Sequence, residues 1–102
     1  MSTLSTHVLD TAAGRPAAGV PVRLETRAGE QLGEGVTDAD GRVPALGPEL
    51  VAGDYVLRFD VATYAAGFYP EVVVVFTIAD PAQHHHVPLL LSPYGYSTYR
   101  GS

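Results

Sequence analysis

The chain of 102 residues contains no cysteine, which removes disulfides, thiolate catalysis and cysteine-ligated zinc and fits a reducing compartment. Lysine is absent as well. Its six cations are all arginines, spread from Arg15 to Arg100 without a basic run, and they leave a formal charge of -5. Such a surface offers no continuous positive track to a phosphate backbone, so nucleic acid is not an expected partner. No apolar run approaches the ~18 residues that a membrane helix needs, and residues 1–7 carry neither the basic nor the apolar region of a signal peptide. No membrane partner and a cytoplasmic location are therefore expected. A Gly-x-Ser-x-Gly turn and a phosphate-binding glycine loop are also missing, which favours direct attack by activated water over covalent catalysis.

With 46% hydrophobic and 17% charged residues, the composition is that of a globular protein, and the length fits one domain spanning residues 1–102. Short apolar segments rich in Val, Leu and Tyr recur between Gly, Pro and Asp clusters, the pattern of an all-β sandwich. Strands are expected over residues 4–10, 20–26, 32–37, 55–60, 70–78, 84–92 and 96–102, with a very short one beginning at Arg42, eight in all. Residues 13–16 and 38–41 read as turns. Residues 61–66 are the one helix candidate, ended by Gly67.

Strand parity decides what each face presents, because successive side chains point to opposite sides. In the segment 84–92, His85, Val87, Leu89 and Leu91 form the core stripe, which sends His84, His86, Pro88 and Leu90 outward. His7 likewise stands opposite Val8. Imidazole titrates near neutrality and suits hydrolysis of an amide or lactam, while an arginine such as Arg42 suits a carbonyl edge and the oxyanion formed on attack. The blander readings are a solvated strand start or adventitious metal binder for the histidine run and a surface arginine for Arg42. A zinc site of His7, His84 and His86 is the rival mechanism, and spacing alone does not separate it from water activation.

The segments Ser5-Thr6-His7-Val8-Leu9-Asp10, Gly14-Arg15-Pro16-Ala17, Thr37-Asp38-Ala39-Asp40-Gly41-Arg42, His86-Val87-Pro88-Leu89-Leu90-Leu91-Ser92-Pro93 and Tyr96-Ser97-Thr98-Tyr99-Arg100-Gly101-Ser102 run nearly the length of the chain. In that order they resemble the 5-hydroxyisourate hydrolase branch of the transthyretin-like family. The resemblance implies a prealbumin-like β-sandwich of two four-stranded sheets with one short α-helix, assembled as a homotetramer around a central channel. It also implies opening of the 5-hydroxyisourate ring to 2-oxo-4-hydroxy-4-carboxy-5-ureidoimidazoline, without cofactor or metal. Its catalytic residues match His7, Arg42 and His86, and substrate binding by His7 and Arg42 extends to the tail Tyr99, Arg100, Gly101 and Ser102. One departure is His85, where the family reads tyrosine; parity turns it toward the core edge and out of the site. The alternative is a small-ligand carrier like vertebrate transthyretin, which the histidine pair and the tail argue against.

Overall fold

A computed structural model describes residues 2–102. Among them nine strands and one helical turn follow in the order β1 (Leu4–Asp10), β2 (Arg15–Pro16), β3 (Pro21–Thr26), β4 (Gln31–Val36), β5 (Arg42–Val43), β6 (Gly53–Phe59), α1 (Val61–Tyr64), β7 (Val72–Ile78), β8 (His85–Ser92) and β9 (Gly95–Thr98). They form two sheets, β4-β3-β6-β7 and β2-β1-β8-β9, with β5 also paired to β1. The first of these is the expected four-stranded sheet. The second has one strand more, because Arg15 and Pro16, expected within a turn, pair with Asp10 and Leu9. That short strand and β5 lie end to end along the same edge of β1, so this sheet is still four strands wide.

The expected alternation holds along the inner faces. Leu4, Val8, Val87 and Leu89 of one sheet are buried opposite Leu24, Leu57, Phe59 and Val72 of the other. Each such side chain withdrawn from water contributes roughly 1.5–3 kcal/mol before the entropy of ordering is subtracted. Helix α1 is shorter than residues 61–66. Asp60 caps it through Thr63 N and Oγ1, but Ala65 is already extended, so a single turn forms. Tyr64 then donates to Asp10 Oδ2 at 2.6 Å, which ties the turn to the end of β1. β7 begins at Val72 rather than 70, since Pro70 has no amide proton for a ladder. The tail leaves β9 after Thr98 and returns to β8 at one bridge, Gly101 to His86.

Parallel pairing of β1 with β8 is what positions the outward histidines. Ser5 lies beside His86 and His7 beside Pro88, while on the other flank His7 lies beside Arg42 of β5. Thr6, Val43 and Val87 face the core, so Ser5, His7, Arg42 and His86 share the opposite face.

Candidate active site

Arg42 reaches this face because of the turn before it. Asp38 Oδ1 accepts from the amides of Asp40 (2.9 Å) and Arg42 (3.0 Å), and the Asp38 amide donates to the Arg42 carbonyl. Gly41 sits at φ +75°, and a Cβ there would collide with the Val8 carbonyl oxygen. No other residue closes this turn against β1. The turn also aims the Asp40 carbonyl at His7, whose Nε2 lies 2.8 Å away. A carbonyl only accepts, so Nε2 of His7 carries a proton.

His86 is half-buried, and its Nδ1 lies 2.7 Å from Ser5 Oγ. The same hydroxyl is 2.8 Å from His84 Nε2, and His84 Nδ1 is 2.5 Å from Thr3 Oγ1. Burial holds the His86 imidazole below its ordinary value, helped by the positive charge of Arg42 and then by His7 and His84, with the Ser5 main chain pulling the other way. A depressed value keeps His86 neutral at physiological pH, the state in which imidazole accepts a proton.

Of the residues expected at the site, His7, Arg42 and His86 come together on this face. Gly101 packs directly on His86, its amide donating to the His86 carbonyl at 2.8 Å. Tyr99 is exposed; it follows the end of β9 and borders a cavity lined also by His85, Val87 and Arg100. The Arg100 guanidinium donates to Gln83 Oε1 at 2.6 Å and borders the same cavity, of about 210 Å³. Ser102 is exposed beyond Gly101. His85 is 5% exposed, with Nδ1 held by Ser2 Oγ (2.7 Å) and the Gln83 carbonyl (3.0 Å), inside the sheet and away from the outward face.

Sequence reasoning missed Ser5, Thr3 and the Asp40 carbonyl. Ser5 shares its parity with His7, which was the available signal; the carbonyl left none. Among the described residues no three His, Asp or Glu side chains converge as a metal site would require, so the zinc arrangement of His7, His84 and His86 is not assembled here. A separate polar cluster lies on the other sheet, where Glu25 bridges Arg23 (2.8 Å) and Arg58 (3.0 Å) and Arg58 also meets Glu71. Its charges neutralise one another, whereas Arg42 has the imidazoles as its neighbours.

Comparison with known proteins gives a consistent picture. Residues 4–101 match the model of the HIUase/Transthyretin family. The chain is 50% identical to a 5-hydroxyisourate hydrolase of Caulobacter vibrioides, covering all of both chains. It superposes on the structure of Klebsiella pneumoniae 5-hydroxyisourate hydrolase with a TM-score of 0.92 at 41% identity, again over the whole of both chains. A sea bream transthyretin solved in complex with thyroxine is also similar, with a TM-score of 0.86 and 33% identity over 96% of this chain and 93% of that one.

Proposed function

We propose that this chain, which belongs to the HIUase/Transthyretin family, is a hydrolase that opens the ring of 5-hydroxyisourate to give 2-oxo-4-hydroxy-4-carboxy-5-ureidoimidazoline. The observation that carries this reading is the meeting of His86, His7 and Arg42 on one outward face, with both imidazoles fixed by hydrogen bonds. His86, held neutral, takes a proton from water as it attacks the ring carbonyl. Arg42 presents its fork of donors to the substrate and to the oxyanion that develops. His7, the register partner of Arg42, orients the substrate beside it, its ring held by the Asp40 carbonyl. General-base and oxyanion contributions of this kind are each worth about 10²-fold or more in rate. No cofactor enters this chemistry.

The tail closes the site from one side. Gly101 fixes the tail against His86, Arg100 anchors it to Gln83, and Tyr99 and Ser102 supply substrate contacts. Self-association as a homotetramer completes the enclosure. It is supported by the free edges of β7 and β9 and by exposed apolar side chains at Phe68, Val73, Val75 and Tyr94. No helix among the described residues is long and apolar enough to cross a membrane; a cytoplasmic location belongs to this proposal.

A carrier role is the second reading, favoured by the likeness to a transthyretin solved with thyroxine. Generation of 5-hydroxyisourate by urate oxidase in the presence of the protein separates the two. Faster loss of the substrate's ultraviolet band than in its spontaneous decay is expected of the hydrolase, and an unchanged decay rate would reject it.

A further inference from the structure

Asp38 brings three groups to the turn before β5, and each holds a different part of it. Its amide donates to the Arg42 carbonyl, its carbonyl accepts from the Gly41 amide, and its carboxylate oxygen Oδ1 accepts from the amides of Asp40 and Arg42. In a trans peptide the C=O and the following N–H point in opposite directions, and no peptide among the described residues is cis. The Asp40–Gly41 peptide therefore has its N–H on the Asp38 carbonyl, at 2.9 Å, and its own carbonyl on His7 Nε2, at 2.8 Å. The Gly41–Arg42 peptide has its N–H on Asp38 Oδ1, at 3.0 Å, and its carbonyl on the Val8 amide, at 2.7 Å. Two successive peptides are thus held between Asp38 and β1. They share Gly41, whose missing side chain makes rotation of its peptides easier than at any other residue type.

We infer that Asp38 is a positioning residue of the hydrolysis, whose carboxylate keeps His7 and Arg42 in one fixed relation through main-chain bonds. The inference rests on the hydrolytic reading of the site. Residue 38 is exposed, and among the described residues its carboxylate forms no ion pair with the Arg42 guanidinium, so it acts by direction and not by charge. Rotation of the Asp40–Gly41 peptide would present an N–H to His7 in place of a carbonyl and remove the acceptor that fixes the ring. Rotation of the Gly41–Arg42 peptide would carry the start of β5 off its pairing with His7. Oδ1 opposes both, because the two amides it holds belong to the residues on either side of Gly41. His86 is independent of this lock, since its Nδ1 is held by Ser5 of β1. Loss of the carboxylate therefore disturbs one half of the site and spares the other.

The test compares wild type, Asp38→Ala, Asp38→Asn and Asp38→Glu in the urate oxidase-coupled assay, with the histidine ring nitrogens followed by NMR and the fold by dichroism. Asparagine keeps an acceptor oxygen in place without the charge, whereas glutamate keeps the charge and moves the oxygen by one methylene. Asp38→Ala is expected to lose about 10²-fold in kcat/KM, the cost of a catalytic group displaced by about 1 Å. Asp38→Asn should stay close to wild type and Asp38→Glu should fall with Asp38→Ala. The His7 Nε2–H signal should shift in the two impaired variants while the His86 signals stay in place. If Asp38→Ala loses its dichroism, the contrast between Asp38→Asn and Asp38→Glu carries the test alone. Wild-type kcat/KM in a folded Asp38→Ala would overturn the inference. An impaired Asp38→Asn beside a fully active Asp38→Glu would do so by assigning the effect to charge, and equal shifts at His7 and His86 would do so by revealing a general loosening. Absence of hydrolysis in the wild type would instead overturn the proposed function, with the His7 signal still reporting whether Asp38 holds the ring.

Discussion

Replacing Gly101 by alanine presses a methyl group into the ring of His86. A Cβ built on Gly101 lies 2.5 Å from His86 Cδ2 and 3.2 Å from Cγ. Carbon atoms in contact sit at about 3.5–4.0 Å, so relief requires a movement of about 1 Å. The ring has little freedom to supply it, because Nδ1 is held by Ser5 on the far side. The tail backbone is likewise held by the bond from the Gly101 amide to the His86 carbonyl. Gly101 is not among the residues at positive φ, so alanine meets no dihedral penalty and the effect is steric alone. Overpacking of this size costs the fold about 1–3 kcal/mol at most, since the tail can lift. A catalytic group displaced by about 1 Å costs about 10²-fold in rate. The expected result in the urate oxidase-coupled assay is therefore a kcat about two orders of magnitude down, with far-ultraviolet dichroism unchanged and His86 ring signals shifted in NMR. Wild-type kcat in Gly101→Ala would refute the placement of the tail against a working His86.

The depressed value at His86 has two consequences with one sign. The acid limb of kcat/KM should fall below the ordinary imidazole value of 6.5, because the base stays bare to lower pH; a limb at or above 6.5 would contradict it. The unfolded chain takes up that proton first, so this group's contribution to stability is present above about 6.5 and is lost as pH falls through the folded value, measurable as a thermal midpoint that drops on acidification. His85→Tyr should leave turnover unchanged, since the ring lies inside the sheet beside the cavity of about 210 Å³ that a phenol can enter. A large loss of turnover on that substitution, with the fold intact, would place His85 in the chemistry after all.

Much of the architecture was legible because parity along a strand is a local property. Leu4, Val8, Val87 and Leu89 announced the inner face, and His7 and His86 therefore had to face outward. Asp38 to Gly41 announced the turn that delivers Arg42. The pairing of Arg15 and Pro16 with β1 was not legible, since Gly14, Arg15 and Pro16 carry turn signals and two residues have no periodicity. Nor was the divergence of Arg100 from Gly101, which depends on Gln83 lying across the sheet edge. Ser5 was visible as an outward residue, but its place between two imidazoles follows from the parallel pairing of β1 with β8, a long-range fact that composition does not encode.

The most direct test of the site is the decay of enzymatically generated 5-hydroxyisourate measured with wild type beside His7→Ala, Arg42→Ala and His86→Ala, each checked for fold by dichroism. Acceleration by the wild type, with each variant lowered by about 10²-fold or more, is the predicted result. Wild-type acceleration that survives undiminished in all three would show that the hydrolysis takes place somewhere other than this face.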